Sequence, residues 1–470
     1  MAKLFNRRDL CGAMLGMGLL TSSCQRTSPA PPQAPPPAAP ASVATAEAAP
    51  PTETLFRNVR VFNGRASQLT GATDVLVRGN TIAAVGTGGG AGGATVIDAA
   101  GRTLMPGMID AHWHILMAAI PQPAMTFEDP NYVHLLATRE ARAGLMRGFT
   151  TIRDLGGPVF GLKRAIDEGI VPGPRIYPCG AMISQTSGHG DFRFLHEMPR
   201  TPGGPLSHTE ALGVAAIADS PGEVRLRVRE QLRRGASQIK LMGGGGVSSP
   251  PHNPIDSVQY SEAELRAAVE AAEDWGTYVT VHAYTPRAMQ RAIRAGVKCI
   301  DHGQLADERT ARMMADRGVW WSLQPLSYNT EVFQRMSPSS QERAQRVFAG
   351  TDTAYRLAKR FNVKTAWGAD ILFDAGAAAR QGSYVAMLTR WHTPAEALRM
   401  VTADNAELLA LSGFINPYPG RLGVIEAGAL ADLIVVSGNP LENLDLVADA
   451  ETNFALIMKD GVIYKNMLAA

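Results

Sequence analysis

Several residues of this sequence have the chemistry of metal ligands. His112 and His114 lie two positions apart in the apolar run MPGMIDAHWH, so on a strand both imidazoles would point to one face and could reach one ion. An HxH pair alone is weak evidence, because such a pair is more often just two polar residues. Further residues of ligand type occur at or near the ends of later apolar runs: Lys240, His282, His302 and Asp370. Together they predict a metal site.

Each of these later residues has a simpler interpretation when it is considered alone. His282 in YVTVHAY or His302 in CIDHG would be a buried histidine with satisfied hydrogen bonds, and Asp370 in TAWGAD would be a helix cap. Lys240 in SQIKLMGGGG is harder to explain, because a free ammonium is costly inside an apolar strand. A metal site becomes the better interpretation only if one fold brings all of them to the same place.

The elements that would position these residues alternate between strand and helix. The strand-like runs are 104–111, 150–154, 175–178, 238–242, 278–283, 298–301, 319–324 and 364–368. Amphipathic segments lie between them, and Ser261 followed by Glu264 is a capping box that predicts a helix over ELRAAVEAAEDWG. Eight such units over residues 108–415 predict a (β/α)8 TIM barrel, in which polar residues past the carboxyl ends of the strands line the active site.

Short alternating strands also occur at both ends of the folded part. LFRNVRVFNG and DVLVRGNTIAAVG lie at the beginning, and ADLIVVSGNP and FALIMKDGVIYKN lie at the end, with Asn-Gly and Gly-Asn turn signals. Two β segments that flank one large middle block predict a small β-sandwich domain built from residues 54–107 and 416–470. The predicted fold class is therefore α/β, with a barrel and one small β domain.

The candidate ligands resemble the metal set of the amidohydrolase superfamily, in the branch whose lysine is carboxylated. The resemblance also covers TLMPGMIDAHWH and the closing GVIEAGALADLIVVSGNPLENL and MKDGVIYKN, and so extends from about residue 55 to the C-terminus. Within the superfamily the sequence is similar to Xaa-Pro and Xaa-Arg/Lys dipeptidase-like members. The amidases that cleave ochratoxin belong to the same group.

This resemblance implies a site for two divalent metal ions. The implied ligands are His112, His114 and Asp370 for one ion, and His282 and His302 for the other. A carboxylated Lys240 and a hydroxide would bridge the two ions, and Asp370 would be the general base that passes the hydroxide proton to the leaving amine. Zinc suits imidazole and carboxylate ligands, although the sequence does not determine the metal.

Substrate contacts are predicted from loops near the strand ends. His189, in the loop TSGHGD, is a candidate donor to the substrate carbonyl oxygen, with an exposed loop histidine as the alternative. Tyr260 resembles a position that meets the substrate carboxylate in related dipeptidases, although it could instead pack on the following helix. Gly244 and Gly245 would let backbone amides approach a ligand closely, or they could simply make the loop flexible.

The predicted function is hydrolysis of an amide bond next to a carboxylate-bearing amino acid. The substrate would be a dipeptide, an N-acyl amino acid or a compound like ochratoxin A. The same metal centre could instead serve hydrolysis of a lactone, a phosphotriester or a cyclic amide such as an imidazolone, which the fold alone does not separate. A non-catalytic scaffold is a third interpretation, but such a relative should lack ligands that are all present here.

Composition limits the classes of partner. The 470 residues include 45 Lys and Arg against 43 Asp and Glu, a formal net charge of +2 that is too balanced for a nucleic-acid surface. No apolar run approaches the roughly 20 residues that span a bilayer. We expect a small-molecule or dipeptide substrate and no nucleic-acid partner. Because such barrels often associate, we also expect a homo-oligomer.

The N-terminal residues predict export from a bacterial cytoplasm. Residues 1–27 combine a basic start with a short apolar core and resemble a twin-arginine signal, and Cys24 could be lipidated; a disordered basic tail is the alternative. Residues 28–53 are rich in Pro and Ala and would form an extended linker. The expected location is the periplasm or the envelope, with a possible membrane tether through the N-terminus.

Overall fold

One mixed β-sheet and one set of parallel strands organise the chain. The computed structural model describes residues 52–86, 92–250, 253–326, 333–334 and 336–468, so the predicted export signal, and the linker as far as residue 51, lie outside the described residues. In chain order the strands are β1 (Glu53–Val61), β2 (Ala72–Arg78), β3 (Thr81–Val85), β4 (Thr95–Asp98), β5 (Thr103–Pro106), β6 (Met108–Trp113), β7 (Phe149–Asp154), β8 (Arg175–Pro178), β9 (Met182–Ser184), β10 (Ala215–Ile217), β11 (Ile239–Met242), β12 (Val279–Ala283), β13 (Cys299–His302), β14 (Trp320–Leu323), β15 (Thr365–Trp367), β16 (Leu433–Val436), β17 (Phe454–Lys459) and β18 (Val462–Asn466).

The helices lie mainly between the parallel strands. They are α1 (Gln122–Phe127), α2 (Pro130–Met146), α3 (Phe160–Asp167), α4 (His208–Ala211), α5 (Pro221–Arg234), α6 (Glu262–Glu273), α7 (Pro286–Ala295), α8 (Glu308–Asp316), α9 (Pro338–Arg360), α10 (Ala375–Ala379), α11 (Gln381–Ala386), α12 (Pro394–Arg399), α13 (Asn405–Leu409) and α14 (Ala450–Asn453). The capping box before α6 is confirmed, since Ser261 and Glu264 bond each other's backbone N–H. In the described part of the chain, no helix combines the length and the apolar composition needed to cross a bilayer.

The mixed sheet is built from both chain ends. Its strand order is β18-β17-β16-β5-β1-β2-β3, with β4 paired to β1. The join between the two ends is the antiparallel pair β5–β16, in which Met105 lies opposite Ile434. Phe56 and Val59 of β1 and Leu433 of β16 are fully buried in one apolar cluster, so residues distant in the sequence share this core.

The middle of the chain forms the barrel. The parallel strands run in the orders β6-β7-β8 and β10-β9-β11-β12-β13-β14-β15. Two backbone hydrogen bonds continue the ring between these sheets: Ser237 N–H donates to Pro178 O at 2.8 Å, and Asp370 N–H donates to His112 O at 2.9 Å. The predicted architecture, a (β/α)8 barrel with a small β domain from both chain ends, is thereby confirmed.

The first predicted strand is corrected by the structure. The run 104–111 is not one strand but parts of two, because β5 belongs to the mixed sheet and β6 to the barrel. Gly107 separates them: its N–H donates to Asp432 O at 2.8 Å, and a Cβ there would lie 2.1 Å from Oγ1 of Thr150. Two short strands, β9 and β10, were not predicted, and β1 begins at the last residue of the predicted linker.

A buried ion cluster joins the barrel to the mixed sheet. Arg175 at the start of β8 donates to both carboxylate oxygens of Asp432, at 3.0 and 3.3 Å, and to Asp460 at 2.6 Å. The Asp460 backbone N–H also donates to Asp432, at 2.7 Å. Asp432 is buried, and Arg175 is the cation hydrogen-bonded to it, while the buried Lys459 is a second positive charge nearby.

We predict that Arg175→Met destabilises the protein by about 3–5 kcal/mol, because it leaves a buried carboxylate without its cation. Chemical denaturation followed by circular dichroism measures the change. The control is Arg164→Met, which breaks an exposed pair with Glu168 and should leave the free energy of unfolding nearly unchanged. Equal effects of the two substitutions would contradict this account of the cluster.

Candidate metal centre

Three of the predicted ligands converge at the carboxyl end of the barrel strands. His112 lies in β6, His114 directly follows it, and Asp370 follows β15. The Nε2 atoms of the two histidines lie 3.3 and 3.4 Å from the same Asp370 oxygen, Oδ1. Ligand atoms of the three residues all lie within 4.8 Å of one another. Two imidazole nitrogens and a carboxylate oxygen at this separation can bind one divalent cation.

The other two histidines lie beside this group. His282 is in β12 and His302 ends β13, and their ring centroids are 4.5 Å apart. The His302 ring is 4.9 Å from that of His112, and its Nδ1 is 3.7 Å from Oδ2 of Asp370. Four histidines and one aspartate from four strands therefore meet at one mouth of the barrel.

Hydrogen bonds determine which nitrogen of each later histidine is free. Nδ1 of His302 lies 2.8 Å from Oε1 of Gln324, whose amide nitrogen donates to Ser322 O. The proton is therefore on Nδ1, and the Nε2 lone pair is free. Nε2 of His282 lies 3.3 Å from the carbonyl oxygen of Gly245, which leaves the Nδ1 lone pair free. Such partners orient metal-binding imidazoles.

Lys240 lies inside the barrel and is bonded to a carboxylate. It is buried in β11, and its Nζ donates to Oδ2 of Asp301 at 2.6 Å. Asp301 also accepts from Thr280 Oγ1 and from Arg153 Nη2, each at 2.7 Å. Burial would raise the pKa of Asp301, but the positive charges of Lys240 and Arg153 outweigh it and lower that pKa to about 2. Oδ1 of Asp301 is also 3.6 Å from Nδ1 of His112, so this network lies directly beneath the cluster.

The ionisation states suit metal binding. Burial is the main cause that lowers the pKa of His112, His282 and His302, so these imidazoles are neutral near pH 7. Burial would raise the pKa of Asp370, but its interactions with His114 and His302 lower it overall, so the side chain is a carboxylate. Neutral imidazoles and an ionised carboxylate are the protonation states that bind zinc and similar cations, and the residues present fit such an ion.

His189 and the two glycines lie at the same mouth. The His189 ring stacks on that of His282 at 4.2 Å, and burial lowers the pKa of His189 to about 3. Gly244 and Gly245 are buried, and a Cβ on Gly245 would lie 2.1 Å from Pro254 O. These glycines permit close packing of two backbone segments, which is a different use from loop flexibility.

Tyr260 is not brought to the cluster. Its side chain packs in the large apolar core, and its buried hydroxyl has no hydrogen-bond partner among the residues that the structure describes. Burial is the main cause that raises its pKa. A contact between Tyr260 and a substrate carboxylate stays a prediction.

Other side chains at the site were missed by the sequence analysis. The Tyr284 ring stacks on His302 with centroids 4.9 Å apart, and burial and the charge of Asp370 raise its pKa, so its hydroxyl stays protonated. Its position directly after the predicted run 278–283, which carries His282, was an available signal. Asp301 also had a sequence signal, because it directly precedes His302. Gln324 ends the predicted run 319–324, but nothing in the sequence pairs it with His302, which lies 22 residues earlier.

Comparison with known proteins fits this geometry. The model of the amidohydrolase family matches residues 103–469. The chain belongs to the amidohydrolase family. It is 31% identical over 381 residues to ochratoxinase from Aspergillus niger, covering 77% of this chain and 75% of that protein.

Solved amidohydrolase structures share the fold over almost the whole described part. A crystal structure of an amidohydrolase is 37% identical, with a TM-score of 0.81, and the match covers 89% of this chain and 100% of that one. A prolidase complexed with N-methylphosphonate-L-proline is 34% identical, with a TM-score of 0.81, covering 88% and 100%. This protein is therefore a hydrolase, and its family generally uses divalent metal ions of the kind that His112, His114 and Asp370 could hold.

We predict that Gln324→Leu weakens metal binding about 10- to 100-fold, because His302 loses the acceptor that orients it. Competition with a chelator of known affinity measures the change. Gln304→Leu is the matched control: Gln304 makes longer contacts, of 3.4 and 3.5 Å, and these are to Gln324 rather than to a histidine. If both variants bound metal like the wild type, Gln324 would have no role in orienting His302.

Proposed function

We propose that this protein hydrolyses an amide bond adjacent to a carboxylate-bearing amino acid, in a dipeptide, an N-acyl amino acid or a substrate like ochratoxin A. The observation that carries the proposal is the meeting of His112, His114 and Asp370 with a buried, neutral His189 at one end of the barrel. An amide carbonyl needs both activation of water and a donor to its oxygen, and these residues supply groups for both tasks.

We further propose that the site holds two divalent ions, with zinc as the metal that suits the donors. His112, His114 and Asp370 would bind one ion, and His282 and His302 the other. Bound ions would supply a water of lowered pKa and polarise the substrate carbonyl.

Lys240 would join the two ions after carboxylation. Its buried ammonium would lose two protons as the nitrogen adds to CO2, which turns a cation into an anionic oxygen ligand. The proposal is supported by the place of Lys240, which is buried in β11 beneath the histidines. A negatively charged ligand there would be compensated by divalent ions in a site that is otherwise buried.

The remaining proton steps are assigned to Asp370 and His189. Asp370 is ionised and lies within 3.4 Å of two histidine nitrogens, so its carboxylate is placed to accept a proton from the attacking water and to pass it to the leaving amine. His189 is neutral and would donate a hydrogen bond to the substrate carbonyl oxygen, where negative charge develops in the transition state.

The choice of an amide beside a carboxylate rests on the relatives. The ochratoxinase and the prolidase share the fold, and the ligand of that prolidase is an N-substituted proline with a free carboxylate. Tyr260 is the proposed contact for the equivalent carboxylate of this protein's substrate, and Gly244 and Gly245 are proposed to lie close to the substrate. Of these, the glycines lie beside His282, whereas Tyr260 does not lie in the cluster.

The test is a substrate screen on the metal-loaded full chain, followed by mass spectrometry. The compounds are dipeptides, N-acyl amino acids, ochratoxin A and several lactones, and the control is Asp370→Asn, which keeps the size of the side chain but removes its charge. We expect cleavage of amides with a free carboxylate, with kcat about 10²- to 10⁴-fold lower in the variant.

Two outcomes would contradict the proposal. Hydrolysis of lactones alone would mean that the reaction class is wrong although the metal centre is active. No hydrolysis of any compound by fully metal-loaded protein would mean that the substrate class is wrong.

A further inference from the structure

In the loop between β11 and α6, one hydroxyl group lies within hydrogen-bond distance of the His189 ring. Oγ of Ser249 lies 2.8 Å from Nδ1 of His189, and both residues are buried. The same hydroxyl oxygen accepts a hydrogen bond from the backbone N–H of Gly246 at 2.7 Å. Ser249 therefore lies between its own loop and the ring that we propose as a donor to substrate.

The hydroxyl proton of Ser249 has a defined direction. A serine hydroxyl has one proton to donate and two lone pairs to accept with, and Gly246 already uses one lone pair. Among the residues that the structure describes, the acceptor in hydrogen-bond range of this proton is Nδ1 of His189. We propose that Ser249 is a positioning residue, which donates to Nδ1 and so keeps the ring proton of His189 on Nε2.

The ring has little freedom to reorient, so the choice of tautomer is what Ser249 adds. His282 stacks on one side at 4.2 Å. On the loop side, a Cβ on Gly246 would lie 2.5 Å from Cε1 of His189, so the loop backbone already approaches the ring closely. The His189 backbone N–H is fixed as well, by a 3.1 Å bond to Oε1 of Gln259.

Ser249 is itself held by a neighbouring unit of the barrel. Arg343 on α9 donates to the carbonyl oxygens of Ser249, Val247 and Asn253, at 2.9, 3.2 and 3.3 Å. The Asn253 side chain donates in turn to Ser187 O at 3.0 Å, in the loop that carries His189. A buried guanidinium thus fixes the backbone on both sides of Ser249, and the hydroxyl is presented to His189 in one position.

The consequence is that His189 can donate from Nε2 but cannot accept a proton there. This inference rests on the proposed function, because the Nε2 proton matters only if a substrate oxygen needs a donor. His189 and Asp370 therefore have different roles: His189 donates a hydrogen bond, and Asp370 accepts and returns the proton.

The first test needs no substrate. Long-range ¹H–¹⁵N spectra of metal-loaded full chain, labelled with ¹⁵N in its histidine rings, distinguish the two tautomers, and His189→Gln identifies the signals of His189. We expect a protonated Nε2 and a bare Nδ1 in the wild type. A proton on Nδ1 would overturn the proposal. Absence of amide hydrolysis would count only against the proposed function.

The second test uses the kinetics of the substrate found in the screen. Ser249→Ala should lower kcat about 10-fold with a much smaller change in KM, since one hydrogen bond to the ring is lost. Ser249→Thr keeps the hydroxyl and should restore most of the loss.

A double-mutant cycle then distinguishes positioning from a general structural role. If Ser249 acts through the ring, Ser249→Ala should cause no further loss in a His189→Gln background. A loss of the same size in both backgrounds would overturn the proposal. Metal content, measured for every variant, should stay at the wild-type level.

Discussion

The site depends on the hydrogen bonds and ion pairs of one buried carboxylate, that of Asp301. It bonds Arg153 from β7, Lys240 from β11 and Thr280 from β12, while Asp301 itself belongs to β13. Four strands are therefore held around one negative charge that is fully buried. Removing the Arg153 guanidinium would leave this charge without a permanent cation, which costs far more than one neutral hydrogen bond. The positions of the histidines above this network therefore depend on it.

Much of the fold could be predicted because strand ends and helix starts leave local signals. The Ser261 capping box and the polar residues after apolar runs were both visible in the sequence. The split of the first run was missed although Pro106-Gly107 is a turn signal, because β5 and β6 are both buried along their length and the polarity does not change between them. Strands β9 and β10 have three residues each, too few for a period of two to appear.

The residues of the site can likewise be divided into those that the sequence could predict and those that it could not. Residues near the strand ends were recognisable by type, and the structure brings His112, His114 and Asp370 together. Residues that orient them are separated by long stretches of sequence: Ser249 lies 60 residues from His189, and only the fold brings the two into contact. Tyr260 is the converse: it was predicted from the sequence as a substrate contact, but its hydroxyl lies in the apolar core.

The mixed sheet has a consequence for the order in which the chain can fold. Oγ1 of Thr103 in β5 bonds the carbonyl oxygen of Gly438, 335 residues later, so the β5 edge has no partner until the last part of the chain has been synthesised. During translation an unpaired strand edge stays exposed while the barrel forms, and such edges promote association between chains. Completion of this sheet is then a late event, and a chain that lost β16–β18 would expose the same edge permanently.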